Sequence, residues 1–370
     1  MITDSIEFRR HLHRRPELSF AEHATQRYII ERLGEAGIEC RKVAGTGVLA
    51  VVEGRRGNHR RAVVLRADID ALPVEERTGA EFSSLTCGVM HACGHDVHAA
   101  VLYGVLCSLA AERDFEGTLI GLFQPGEECN PGGASMVLAE DPFAAYDVAA
   151  VIGEHVDSTL EVGQAGFCPG RFMASNDELR IRVDGRGGHA AMRGDLHDPV
   201  EALCRMTLRM LDLNTSQCVV SVGRLEADGA TNVIPDTTRA EGTMRSFDED
   251  VRRMTWERLR RAAAEVGEQC GVAIEVDIDR GYPCVVNDIA LTYESMLVAA
   301  GEGIEVRELQ PRATAEDFGY YTQRYPSLFY RLGVGSAAGR SHTSAFLPDE
   351  RAIAVGVRLM RSIALHVLNK

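Results

Sequence analysis

Between residues 90 and 98 the chain reads MHACGHDVH, which sets His91, Cys93, His95, Asp96 and His98 within nine positions between apolar runs. Imidazole and thiol groups are costly to bury without partners, so such a cluster needs either solvent or a metal ion. Cys93 and His95, two apart in a segment expected to be irregular, offer a thiolate and an imidazole, donors that suit zinc and other borderline divalent ions. A core histidine beside a buried cysteine would account for one or two of these residues, not for five in nine.

Further candidates stand where apolar strands are expected to end. VVLRADIDALP closes with Asp68 and Asp70, whose carboxylates share one face if the chain stays extended. LFQPGEEC ends in adjacent Glu127 and Glu128, which in an extended segment point opposite ways, so that one can bind a metal while the other faces water as a general base. His155 follows the apolar run VAAVIGE, and His342 lies in GRSHTSAF, a loop far along the chain. Each of these by itself is better read as a charged turn or a solvated loop; their recurrence at strand exits, where ligands of open α/β sheets sit, favours a site.

The elements that must position these residues are legible in outline. Residues 3–37 show helical spacing broken by Pro16, predicting one or two surface helices. Strands are expected at GVLAVVEG, RAVVLRAD, GTLIGLFQ and VAAVIGEHV, and helices at DVHAAVLYGVLCSLAAER and GGASMVLAEDPFA. This alternation predicts an α/β domain, a sheet flanked by helices on both faces. Near residue 175 the pattern changes to one-faced strands, ELRIRVDG, CVVSVGRLEADG, TTRAEGTMRSF and VAIEVDIDRGYP, with two amphipathic helices between them. That predicts a compact α+β module over 175–283, four strands with two helices on one face. SLFYRLGVG and AIAVGVRLMRSIALHVL then return to the buried style, so 1–174 and 284–370 form one domain and 175–283 an insertion.

The net charge of −14 disfavours nucleic acid and anionic membrane as partners. No segment is apolar for the length of a bilayer, and the start, MITDSIEFRRHLHRRPELSF, lacks the apolar core of a secretory leader, so a cytoplasmic location is expected. The ten cysteines contain no C-x-x-C pair and no dense framework; most are expected to be small buried hydrophobes.

The ordered motifs RADIDALP, MHACGHDVH, QPGEE, GGHAA, NVIPD, GTMRSF and AEDF resemble the aminoacylase and carboxypeptidase family of dinuclear metallohydrolases. The branch most similar is that of the N-acyl-amino-acid amidohydrolases, with hippurate hydrolases and auxin-conjugate hydrolases. The resemblance covers nearly the whole chain. It implies a zinc-peptidase-like catalytic domain with a mixed sheet, and identifies 175–283 with the family's inserted ferredoxin-like lid, through which many members form homodimers. It implies two divalent metal ions per chain, zinc or manganese, with cobalt or nickel also suited, held by Cys93, His95, Glu128, His155 and His342. Glu127 would be the catalytic base, with Asp68 and Asp70 supporting the ligands. In the lid, His189 would stabilise the oxyanion, and Asn232 and Arg245 would contact the substrate; a guanidinium suits a substrate carboxylate. The implied activity is metal-dependent hydrolysis of the amide of an N-acyl-amino acid to a carboxylic acid and a free amino acid, with a dipeptidase or exocarboxypeptidase of the same fold as the nearest alternative.

The chain departs from the family pattern at Met192, Arg193 and Gly194 after GGHAA, at Glu154 before His155, at Gly126 of QPGEE, and in SHTSAF. Two rival readings follow from the residues. In one, Cys93 is a nucleophile activated by His95 or His98. In the other, the fold is a catalytically silent scaffold that binds peptides or a partner protein.

Overall fold

The computed structural model describes residues 2–370. Two compact units form. One comprises the chain up to Gly170 together with Val286–Gln310 and Tyr320–Lys370; the other comprises Arg171–Val285 and Pro311–Gly319. The short segment 311–319 thus groups with the second unit, whereas the sequence pattern assigned it to the first.

In the first unit the chain runs through helix α1 (Ile2–Arg14), α2 (His23–Glu35), strands β1 (Glu39–Val43), β2 (Gly47–Glu53) and β3 (Arg61–Asp68), then α3 (His95–Glu112), β4 (Thr118–Gln124), α4 (Gly133–Glu140), β5 (Asp147–Asp157) and β6 (Gln164–Phe167). With strands Glu305–Glu308 and Ser327–Gly333 these build an eight-stranded mixed sheet, ordered β1, β2, β4, β3, β5, Ser327–Gly333, β6, Glu305–Glu308. The central strands β4, β3, β5 and Ser327–Gly333 are mutually parallel. Every residue of β4 and of Ser327–Gly333 is buried, as expected for strands covered on both faces. The sequence pattern missed β1, β6, Glu305–Glu308 and the helix Ile289–Gly301, all at the periphery. His155 lies within β5, two residues before its end at Asp157, rather than beyond it.

The first helix is more than a surface element. It buries Phe8 and Leu12, and beside them Arg9 and His13 grip Asp96 at the start of α3. Arg9 Nε donates to Asp96 Oδ2 at 2.9 Å, His13 Nδ1 donates to the same oxygen at 2.9 Å, and His13 Nε2 faces Glu76 Oε1 at 3.2 Å. Carboxylates accept only, so both ring nitrogens of His13 carry protons. Burial opposes that charge, yet the Asp96 carboxylate and Glu76 lift His13 from 6.5 to about 9. The stability it contributes is therefore complete below about pH 6.5 and is lost as pH rises through about 9, amounting to roughly 3 kcal/mol. Denaturant unfolding at pH 6 and pH 9.5 measures this: the wild type loses stability on going up in pH, and His13→Ala, less stable throughout, loses markedly less. Equal slopes in the two proteins would rule out a charged His13.

The second unit carries strands Asp177–Asp184, Cys218–Ala227, Thr237–Ser246 and Ala273–Arg280 as an antiparallel sheet, with Asp177–Asp184 and Thr237–Ser246 in the centre. Asp177–Asp184 alternates buried and exposed residues, the mark of a sheet with one wet face. Its inward Leu179, Ile181 and Val183 join Leu203, Met206 and Met210 of helix Pro199–Leu211 and Leu259 and Val266 of helix Glu249–Cys270 in one core.

Candidate metal centre

The first-unit candidates converge beyond the carboxyl ends of β3, β4 and β5. Gly94, between Cys93 and His95, has φ 89°, and a Cβ there would lie 2.6 Å from Val156 Cγ2. Only glycine allows this turn so close to the end of β5. Both Cys93 and His95 are thereby brought to one place, the latter as the first residue of α3.

Backbone partners fix the histidine tautomers, because a carbonyl can only accept. His95 Nδ1 lies 2.9 Å from the Asp70 carbonyl and 3.1 Å from Asp70 Oδ1, so it carries the proton. Its Nε2 is buried and without a hydrogen-bond partner, the ring nitrogen left to face a metal ion. His155 Nδ1 donates to the Val156 carbonyl at 2.8 Å, and its Nε2 lies 3.3 Å from Cys93 Sγ. His342, held at φ 61° by its N–H to the Ala92 carbonyl, sets Nε2 3.3 Å from the same sulfur and 3.2 Å from Glu128 Oε1.

Among the groups whose donor atoms lie within 4.8 Å of one another, two contain Cys93: Cys93 with His95 and His155, and Cys93 with Glu128 and His342. Cys93 belongs to both. A buried imidazole nitrogen without a partner, a shared thiol and a carboxylate are the chemistry that a zinc-like divalent ion satisfies, and the residues present fit a pair of such ions.

One expectation is corrected. Glu127 and Glu128 do not point opposite ways: their carboxylates and His95 Nε2 all lie within 4.8 Å of one another. The reason is that 125–128 is a turn and not a strand continuation; Gly126 has φ 59°, which bends the chain. A Cβ on Gly126 would meet the Phe20 ring at 2.2 Å, which accounts for glycine at this position. Glu22 Oε1 accepts the Gly126 N–H at 2.8 Å, and Asp70 Oδ2 accepts the Glu128 N–H at 2.9 Å, so the turn is fastened from two sides.

Asp70 thus ties His95 to the glutamate turn, and Ser19 Oγ donates to it at 2.7 Å. Asp68 accepts from Arg66 Nη1 at 2.7 Å and from His98 Nδ1 at 2.6 Å. Burial opposes its ionisation, but His95, Arg66 and His98 hold the carboxyl well below its usual range. Arg66, Glu22 and Ser19 were not singled out from the sequence. Arg66 left a signal, a charge inside the apolar run VVLRAD; Glu22 and Ser19 left none, because only folding brings them near 126 and 70. Glu154 is buried against Tyr330, whose hydroxyl donates to it at 2.6 Å, and burial pushes its carboxyl up to about 8.

Burial, with Glu128 adding to it, pushes the Cys93 thiol up to about 12. His98 Nε2 is occupied by the Val156 N–H at 2.9 Å. The nucleophile reading thus loses both its thiolate and one of its two bases.

In the second unit His189 and Asn232 are brought together: Gly188–His189 pairs with Val233–Ile234, and the Ala190 N–H donates to the Asn232 carbonyl at 2.9 Å. His189 Nδ1 accepts the Ala191 N–H at 3.2 Å, so the neutral ring carries its proton on Nε2 and presents a donor outward. Met192 and Arg193 lie in the following turn of 3-10 helix, Arg193 paired with Glu201. Arg245 stands on the central strand Thr237–Ser246, half-buried, and burial lowers its pKa.

A mixed sheet with thiol, imidazole and carboxylate donors gathered beyond its strand ends defines the class of metal-dependent hydrolases. The chain belongs to the family described as Peptidase family M20/M25/M40, which it matches over residues 64–366. It is 36% identical over 356 residues to the N-acetyl-L-cysteine deacetylase of Bacillus subtilis, covering 94% of this chain and 84% of that protein. It is 34% identical over 384 residues to thermostable carboxypeptidase 2 of Saccharolobus solfataricus, covering 99% and 95%. Among solved structures, a dinuclear metal-binding peptidase of the M20 family from Bacillus subtilis superposes with a TM-score of 0.88 at 34% identity, covering 99% of this chain and 98% of that one.

Proposed function

We propose that the protein hydrolyses the amide bond of N-acyl-amino acids with two divalent metal ions, releasing a carboxylic acid and a free amino acid. The observation that carries this reading is the pair of donor sets sharing Cys93, with the Glu127 carboxylate beside them. A deacetylase and a carboxypeptidase at 36% and 34% identity support amide cleavage next to an amino-acid carboxylate.

Cys93, His95, Glu128, His155 and His342 would hold the ions, which when bound supply Lewis acidity to the amide carbonyl and lower the pKa of water. Glu127 takes the proton of the attacking water and delivers it to the departing amine. Asp68 and Asp70 keep the ligands aimed. His189, with its proton on Nε2, donates to the developing oxyanion. Asn232 contacts the substrate, and Arg245 receives its carboxylate in a bidentate pair. Residues 175–283 act as the lid and carry the homodimer contact. Zinc or manganese suits the donor set. No helix among the described residues is long and apolar enough to cross a membrane. The cysteines form no disulfide among the described residues, which suits the reducing cytoplasm, where we place the enzyme.

The test is hydrolysis of N-acetyl, N-benzoyl and longer N-acyl amino acids, each beside its carboxamide analogue, before and after chelation and metal return. The expected result is about two metals per chain, activity that vanishes and recovers with them, and a strong preference for the free carboxylate. Turnover indifferent to chelation would overturn the reading.

A further inference from the structure

The metal-centre reading leaves two buried histidines of the MHACGHDVH run, His91 and His98, unassigned. His98 is fully buried on the first turns of α3, in reach of Asp68 and His95, and its type and place make it a candidate ligand. Its hydrogen bonds say otherwise. The Val156 N–H can only donate, so His98 Nε2, 2.9 Å away, accepts; the ring proton is then on Nδ1, which donates to Asp68 Oδ1 at 2.6 Å. Both nitrogens are spent, and neither lone pair is left for a metal.

The residue at the other end of that bond is the junction of the site. Val156 gives its N–H to His98, takes the Nδ1–H of His155 on its carbonyl at 2.8 Å, and presses its side chain against Gly94 between Cys93 and His95. A continuous line therefore runs from Arg66 through Asp68, His98 and Val156 to His155, whose Nε2 is thereby turned toward Cys93. The His98 and His155 rings also lie against each other, with centroids 4.8 Å apart.

We propose that His98 is a positioning residue: it fixes the end of β5 through Val156 and so sets the aim of His155, acting on metal affinity without touching the metal. This rests on the metal-centre reading above. Outer partners of this kind change metal affinity by about 10- to 100-fold when removed.

The experiment is zinc competition against a chromophoric chelator on wild type, His98→Ala, His98→Gln, His155→Ala and the double variant. His98→Ala is expected to weaken one of the two zinc sites by about 10- to 100-fold. His98→Gln, whose side-chain oxygen can reach the Val156 N–H, is expected to recover most of that loss. Added to His155→Ala, the His98→Ala change is expected to cost less than about twofold, because the two act along one line. Wild-type affinity in His98→Ala, or losses that simply add in the double variant, would overturn the proposal. Should His98→Ala not fold, ring-nitrogen NMR of the metal-free wild type decides: an Nδ1–H tautomer at His98 supports the proposal and an Nε2–H tautomer refutes it. Wild-type protein that binds no zinc would count against the metal centre itself, a separate result from the tautomer.

Discussion

Glu127→Gln lowers turnover by about 10²- to 10⁴-fold while metal content and melting temperature stay at wild-type values. The substitution keeps the shape of the side chain and removes its capacity to take a proton. Glu127 is nearly buried, at 7% exposure, and its carboxylate converges with Glu128 and His95 Nε2 on one point. The turn that carries it is held by Glu22 at Gly126 and by Asp70 at Glu128, so the base approaches the reacting water from a fixed direction. Steady-state kinetics on an N-acyl-amino acid, with elemental analysis of the same preparation, makes the measurement. Near-normal turnover with full metal would remove Glu127 from the chemistry. Loss of metal together with activity would instead make it a ligand.

Cys93→Ala empties the centre: metal content falls from about two per chain to below one, and activity falls with it. The sulfur is shared, with both His155 Nε2 and His342 Nε2 3.3 Å away, so its removal takes one donor from each set. Replacing His155 or His342 deletes a donor that stands in one set only, and the expected loss is smaller. Without metal the thiol is a weak acid, pushed up to about 12 by burial and by Glu128, so in metal-free protein near pH 7 it stays protonated and resists alkylation. Rapid alkylation of Cys93 at neutral pH in chelated protein, accompanied by loss of a chelator-insensitive activity, would revive the nucleophile reading.

The Glu127 result and the Cys93 result depend on different parts of the structure. One concerns a turn whose direction comes from a left-handed Gly126 packed against Phe20; the other a loop whose direction comes from a left-handed Gly94 packed against Val156. In both, a glycine is needed because a neighbouring side chain already fills the space of a Cβ, and in both the residue next to it carries the chemistry.

The sequence by itself determined the elements and the donors. Apolar runs bounded by turn residues located the central strands, because a strand buried on both faces has no solvent-facing residue to interrupt the run. The alternating strands of the second unit were equally legible, because one wet face imposes a period of two. Donor types were readable for the same kind of reason: thiol, imidazole and carboxylate groups crowded beside apolar strands need a partner of high charge. What only the tertiary structure decided was direction. Neighbouring glutamates look divergent when the segment is imagined as extended, and converge once Gly126 turns it. His98 and His155 look alike as sequence letters, yet the Val156 N–H closes one lone pair and the Val156 carbonyl frees the other. The amide that closes the His98 lone pair stands 58 residues away along the chain, and no local pattern of residues encodes which amide will stand opposite a given ring.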